Sequence, residues 1–250
     1  MAGKAGSRAL CLGLVAAWLG GCGGADGVDE VQSAVVTTNA LTANALTANA
    51  LTANALTANA LTANGLRDPL AREFLKYVVS CALPADQSIS LAVDGTTYEF
   101  SGSLGLAPEW GGSQGSCDES CQRWVSGCVL ARVDAVGRER TISIRGENRA
   151  LRPTLREIIG YPVREASYFG NVFVEGQPRY LCLAPGKTSD PRVCGPSLDN
   201  CPMTVVGSCA KDCAYEGVFD AYVDCSTSGH SRRPEIFHES VTVFLPKQAM

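Results

Sequence analysis

The sequence predicts an α+β fold: one disulfide-rich domain with a mainly antiparallel sheet and two or three helices, after a disordered N-terminal stalk. Three observations predict it. Segments of helical period and segments of alternating hydrophobicity are interspersed without regular βαβ spacing. Ten of the twelve cysteines lie between Cys81 and Cys225, and a perfect short repeat precedes them. The 250 residues are 46% hydrophobic and 18% charged, which is typical of a globular chain.

Residues 1–21 are predicted to be a signal peptide. Lys4 and Arg8 precede an uncharged apolar run over 9–19. That run is too short to span a bilayer as a helix, but it has the length of a secretory apolar region. An ordinary secretory leader is one interpretation, and the residues that follow suggest another.

The motif Leu19-Gly20-Gly21-Cys22 resembles the lipobox of bacterial lipoproteins. The resemblance implies cleavage before Cys22, a diacylglyceryl group on its thiol, and membrane attachment through that lipid. Several acyl chains together give stable anchoring. Residue 23 is Gly rather than Asp, which in the family's sorting rule favours the outer membrane.

Residues 22–67 are predicted to be a lipid-anchored flexible linker. Residues 39–63 are five copies of Asn-Ala-Leu-Thr-Ala. A pentapeptide β-helix needs a different register before its central Leu and more coils than this repeat offers. A helix would scatter the leucines, because a five-residue step turns each one by about 140°. As a coil, the linker reaches about 35–40 Å.

Residues 68–250 form the predicted cysteine-rich α+β domain. An even number of cysteines in an exported chain predicts disulfides, although the sequence does not choose among the pairings. The predicted disulfide cysteines are Cys81, Cys117, Cys121, Cys128, Cys182, Cys194, Cys201, Cys209, Cys213 and Cys225. A metal cluster is disfavoured and no cofactor is predicted, since the chain has no C-x-x-C pair and both histidines follow the last cysteine.

The first elements of the domain are a helix and a hairpin. Asp68-Pro69 is a typical helix start, and the apolar face that follows ends near Cys81. Residues 89–93 and 98–100 alternate around the turn Asp94-Gly95, which predicts a hairpin.

A second helix is predicted to open with a capping box over Ser116–Glu119. On that helix Cys117, Cys121 and Cys128 share one face, so we expect them to reach three other segments rather than each other. Strands are predicted over 141–145 and 240–245, with a short helix over 155–159.

Candidate catalytic residues are sparse. Ser113 lies in a G-x-S-x-G motif, but Pro108 interrupts the strand that an α/β-hydrolase needs before it. His230 and His238 lie in loop sequence. The carboxylates that could form an acid/base pair for glycan hydrolysis are Asp118, Glu119, Glu157 and Glu165. No catalytic residue is therefore assigned.

Ligand recognition has two candidate features. Eight arginines between residues 132 and 164 could form an anion-binding face or lie on solvated edges: Arg132, Arg138, Arg140, Arg145, Arg149, Arg152, Arg156 and Arg164. Four aromatic residues could stack on a sugar or pack in the core: Trp110, Tyr161, Tyr168 and Phe169.

Three strings resemble a group of uncharacterised cysteine-rich secreted proteins of myxobacteria-like bacteria: CDESCQRWVSGCVLARV at 117–133, ISIRG at 142–146 and YFGNVF at 168–173. The resemblance implies export, disulfides and a single domain, and it transfers no catalytic residue.

We therefore expect a lipid-anchored protein of the cell envelope whose domain is a binding or structural module. Expected partners are the membrane, through Cys22, and an envelope glycan or protein. Residues 65–250 carry 19 Lys and Arg against 22 Asp and Glu, so a nucleic-acid partner is not expected. An envelope hydrolase, serine esterase-like or glycosidase-like, is the alternative.

Overall fold

The computed structural model describes residues 36–39, 41, 66–112, 115–174, 176, 178–228 and 234–247. The predicted signal peptide, Cys22 and most of the repeat lie outside these residues. Among the helices that the structure describes, none has the length and apolar character needed to cross a bilayer. The predicted α+β class is confirmed: helices and mainly antiparallel strands form a domain with five disulfides.

A six-stranded sheet organises the domain. Numbered along the chain, its strands are β1 (Val36–Asn39), β4 (Arg140–Arg145), β5 (Val163–Gly170), β6 (Arg179–Leu183), β7 (Thr204–Ser208) and β12 (Val241–Leu245). Their order in the sheet is β1-β4-β12-β5-β6-β7. All neighbours are antiparallel except β6 and β7, which are parallel. The last strand of the chain therefore lies at the centre of the sheet.

Three two-stranded sheets complete the β structure. Their strands are β2 (Ser88–Val93) with β3 (Thr96–Ser101), β8 (Ala214–Glu216) with β9 (Ala221–Val223), and β10 (Cys225–Ser226) with β11 (Ile236–Phe237). The predicted turn Asp94-Gly95 joins β2 to β3, and both residues have positive φ, 50° and 81°. Two left-handed residues match the twist of a tight hairpin.

The described residues contain five α-helices, and a side-chain hydrogen bond caps the start of the first four. They are α1 (Pro69–Ala82), α2 (Glu119–Ala131), α3 (Leu155–Gly160), α4 (Pro191–Cys194) and α5 (Cys209–Asp212). Asp68 caps α1 as predicted, and Thr154 forms a capping box with Glu157 on α3. The predicted start of α2 is wrong by two residues, because Asp118 and not Ser116 is its N-cap. The Asp118 carboxylate accepts from the Cys121 amide at 2.9 Å.

On one face of the sheet α2 packs against β5 and β12, and α1 packs in turn against α2 and β3. Tyr168 and Leu181 from the sheet join this main hydrophobic core. At Gly127 of α2 the backbone approaches the sheet closely, because a Cβ there would lie 3.0 Å from a methyl group of Val241. A larger residue would push α2 away from β12.

The opposite face carries a second, smaller core. Phe169 and Cys182, the sequence neighbours of Tyr168 and Leu181, point there and meet Phe237, Tyr222 and three further cysteines. Alternate residues of a strand face opposite sides of the sheet, so neighbouring residues of one strand pack in different cores. Residues between 206 and 237 thus cover the second face.

The start of the repeat belongs to the folded body. Strand β1 pairs with β4, with Asn39 opposite Arg140. Leu41, from the first repeat copy, is fully buried, and its backbone exchanges hydrogen bonds with Arg132 and Asp134. Residues 36–39 and 41 were predicted as linker, and here they form part of the domain. The remaining linker boundaries stay predictions.

Candidate functional site

The ten cysteines of the domain form five disulfides. The pairs are Cys81–Cys128, Cys117–Cys121, Cys182–Cys209, Cys194–Cys201 and Cys213–Cys225. One expectation is wrong, because Cys117 and Cys121 bridge each other. The reason is that α2 begins only at Glu119, so Cys117 lies outside the helix and its chain is free to turn back. Cys128 does reach another segment, α1.

Two of these disulfides lie side by side on the second face of the sheet. The Sγ atoms of Cys182 and Cys213, which belong to different bridges, are 3.5 Å apart. The sulfur atoms of Cys182, Cys213 and Cys225 all lie within 4.8 Å of one another. We call Cys182, Cys209, Cys213 and Cys225 the sulfur cluster.

The β8-β9 hairpin is held on the same face by charged groups. Asp220, in its turn, accepts hydrogen bonds from the Arg145 guanidinium, from Arg164 at 2.7 Å and from the Tyr215 hydroxyl at 2.6 Å. Asp220 has a φ of 48°, a conformation that Asp adopts more easily than most residues. The Arg145 guanidinium also lies 3.7 Å from the centre of the Phe244 ring. The hairpin thus supplies the carboxylate that pairs with two sheet arginines.

Arg145 is buried in the middle of that arrangement. Its guanidinium donates to the Tyr161 carbonyl at 2.9 Å and to the Ser143 hydroxyl at 3.0 Å. Ser143 in turn donates to the buried Glu157 carboxylate at 2.7 Å. Burial lowers the pKa of Arg145, while Asp220 and Glu157 oppose that shift. Arg145 therefore links β4 to the hairpin and, through Ser143, to α3.

A second charged cluster lies inside the main core, made of Glu165, Tyr168, Asp190 and Arg192. Arg192 donates to Glu165 at 2.8 Å through Nε and to the Tyr168 hydroxyl at 2.8 Å. Tyr168 donates to Asp190. Burial raises the pKa of Glu165 and of Tyr168, and Arg192 opposes both shifts. All four residues are at most 6% exposed, so the cluster stabilises the core rather than meeting a substrate.

Among the buried arginines that the structure describes, Arg132 has the fewest hydrogen-bond partners. It is 2% exposed and donates to the Ser80 hydroxyl at 2.8 Å. Its Nε and Nη2 atoms have no hydrogen-bond partner among the described residues. Burial lowers the pKa of Arg132 to about 10. The guanidinium carbon of Arg132 lies 5.9 Å from the centre of the Tyr77 ring.

An open hollow of about 500 Å³ lies where β6 and β7 begin. Its lining includes Arg179, Tyr180, Met203 and Thr204. The Nη1 atom of Arg179 is buried and has no partner in the part of the chain described. Burial lowers the pKa of this guanidinium. A polar donor beside an aromatic ring suits a ligand that offers oxygen acceptors and an apolar face. A second hollow, of about 610 Å³, lies between α1 and β3.

The candidate catalytic residues that the structure describes do not converge. Ser113 and His230 lie outside the described residues. His238 is exposed and contacts Asp224, with 2.5 Å between Nδ1 and a carboxylate oxygen. The four candidate carboxylates serve separate contacts: Asp118 caps α2, Glu119 pairs with Arg123, and Glu157 and Glu165 belong to the two charged clusters above.

The arginines and aromatic residues that were candidates for ligand recognition likewise do not form one site. Arg132 and Arg145 are buried and Arg164 is half-buried, so the eight arginines do not form one solvent-facing surface. Among the aromatic candidates, Trp110, Tyr168 and Phe169 are almost fully buried. Trp110 packs edge-on against Phe173 at 5.3 Å. Core packing is therefore the role of these three.

The sequence did not predict three contacts: the one between two disulfides, the pairing of Asp220 with two arginines, and the pairing of Arg192 with Glu165. Each joins residues distant in the chain. One signal was available, because Cys182 follows Leu181 in an alternating strand and must therefore face away from the main core.

Comparisons of the chain with family models, with curated proteins and with solved structures gave no match.

Proposed function

We propose that this chain is an exported, lipid-anchored cell-envelope protein whose disulfide-rich domain serves as a binding module. The observation that carries the proposal is the set of five disulfides, since such bonds form and persist in oxidising compartments outside the cytosol. The lipobox-like motif at Leu19–Cys22 supports attachment through Cys22, and Gly23 favours the outer membrane.

The proposed ligand is an envelope glycan or protein that meets the hollow at Arg179. The Nη1 atom of Arg179, which has no partner among the described residues, would donate a hydrogen bond to an oxygen of such a ligand, and Tyr180 offers a flanking aromatic ring. The disulfide Cys194–Cys201 places Cys201 in the wall of the same hollow. A covalently closed wall favours a preformed site, which reduces the cost of ordering on binding.

Replacing Cys22 by Ser is expected to abolish lipid attachment. The full chain is expressed in a bacterial host grown with an alkyne fatty acid, and the membrane fraction is collected. Wild-type chain should carry the label and begin at Cys22 by intact mass. Cys22→Ser should remain unlabelled, because a hydroxyl does not replace the thiol that takes the diacylglyceryl group.

Cys11→Ser is the matched control, since Cys11 lies within the predicted signal peptide. It should be labelled and processed like the wild type. Wild-type material that keeps Met1 and takes up no label would overturn the proposal.

A further inference from the structure

The sulfur cluster holds two disulfides at a distance from which they can exchange partners. A bonded pair of sulfur atoms is about 2.05 Å apart, and the Sγ atoms of Cys182 and Cys213 are already 3.5 Å apart. A displacement of about 1.5 Å would therefore join them. Cys213 follows α5 rather than lying within it, so the helix does not fix its backbone.

Exposure of the cluster is uneven. Cys182, Cys209 and Cys225 are fully buried, whereas Cys213 is partly exposed. An external thiol therefore meets the cluster at Cys213. Thiol–disulfide exchange begins when a thiolate reaches a disulfide sulfur, so access decides which sulfur reacts first.

We propose that the sulfur cluster is an internal thiol–disulfide exchange site, opened by a small dithiol reductant. One thiolate of the reductant attacks Sγ of Cys213, the bond to Cys225 breaks, and the Cys225 thiolate takes a proton from water. The second thiol of the reductant then attacks its own sulfur in the mixed disulfide. The reductant leaves as a cyclic disulfide, and Cys213 is released as a thiolate.

The freed Cys213 thiolate then attacks Sγ of Cys182. The bond between Cys182 and Cys213 forms, the bond between Cys182 and Cys209 breaks, and Cys209 leaves as a thiolate that water protonates. The number of protein disulfides stays constant in this step, because one bond forms as one breaks. The products are a Cys182–Cys213 bridge and free thiols at Cys209 and Cys225.

The exchange changes what the β8-β9 hairpin is tied to. The Cys213–Cys225 bridge closes the base of the hairpin. The Cys182–Cys213 bridge instead joins the residue before β8, the first strand of the hairpin, to β6. The contacts of Asp220 with Arg145 and Arg164 involve no sulfur, so they hold the hairpin on the sheet before and after exchange.

Partial reduction followed by peptide mapping tests the site. The oxidised full chain is treated with one equivalent of dithiothreitol, alkylated at low pH and cleaved after Lys and Arg. Peptide 180–187 contains Cys182, and peptide 212–232 contains both Cys213 and Cys225. Peptide 193–211 contains Cys209 together with the bridged pair Cys194 and Cys201. Exchange predicts that peptide 180–187 changes its partner from 193–211 to 212–232, with alkyl groups on Cys209 and Cys225. If Cys213 is alkylated while 180–187 remains joined to 193–211, the proposal is wrong.

A variant tests the same step without a reductant. Cys225→Ser leaves Cys213 as a free thiol beside Cys182, and we expect a Cys182–Cys213 bridge with Cys209 alkylated. In the control Cys201→Ser, the freed Cys194 is not part of the three-sulfur group found among the described residues, so it should be alkylated itself. Alkylation of Cys213 in Cys225→Ser would contradict the proposal. If that variant does not fold, the wild-type experiment still decides.

Discussion

Removal of the Cys81–Cys128 bridge should lower the free energy of unfolding by about 4 kcal/mol, because the bridge closes a loop with a sequence separation of 47. The bridge joins α1 to α2, and both cysteines are fully buried in the main core. In the variant Cys81→Ala with Cys128→Ala, the unfolded chain regains the freedom that the bridge removed. Urea denaturation followed by circular dichroism measures the loss.

The matched control is the double variant Cys117→Ala with Cys121→Ala. That bridge spans only four positions, so the same relation predicts a loss of about 2 kcal/mol. The test is which of the two double variants loses more free energy of unfolding, more than the size of either loss. An equal or larger loss in the control would show that loop closure does not determine how these bridges stabilise the domain.

Arg192→Met is expected to destabilise the domain by about 3–5 kcal/mol, the usual cost of removing one partner from a buried ion pair. Met keeps an unbranched side chain about as long as the Arg192 stem up to Nε, but it removes the contacts with Glu165, Tyr168 and two backbone carbonyls. The control is Arg152→Met, since Arg152 is exposed. Surface substitutions of that kind change stability by about 0.5 kcal/mol or less.

The loss of free energy of unfolding in Arg192→Met should depend on pH. Burial already raises the pKa of Glu165, and Arg192 opposes that shift, so the variant raises the pKa further. A carboxyl group whose pKa is higher in the folded state than in the unfolded state stabilises the fold at a pH below its unfolded pKa. That stabilisation is lost as the pH rises through the folded-state pKa. The difference from wild type should therefore be larger at about pH 8 than at about pH 5. A loss that is the same at both pH values would contradict the proposed role of the buried charge.

Local patterns predicted the elements that local physics determines. Asp68-Pro69 marked the start of α1, and Asp94-Gly95 marked the turn of the first hairpin, because a cap and a left-handed turn depend on a few adjacent residues. The α2 start was misplaced because Ser116 and Asp118 are both good caps and the sequence alone does not rank them.

Long-range contacts could not be predicted in the same way. The burial of Leu41 illustrates this, since the same five residues recur through residue 63 and only the first copy begins within β1. Disulfide pairing is also a property of the assembled sheet. The contact between Cys182 and Cys213 arises because α5 places the chain of Cys213 against β6.

The oxidised state of the ten domain cysteines is the central claim, and intact mass measures it most directly. Mature protein is isolated without reductant, denatured and treated with an alkylating agent, and its mass is compared with a reduced and alkylated sample. The unreduced protein should gain no alkyl groups, and the reduced protein should gain ten, as expected for five disulfides. Ten alkyl groups on the unreduced protein would contradict the account.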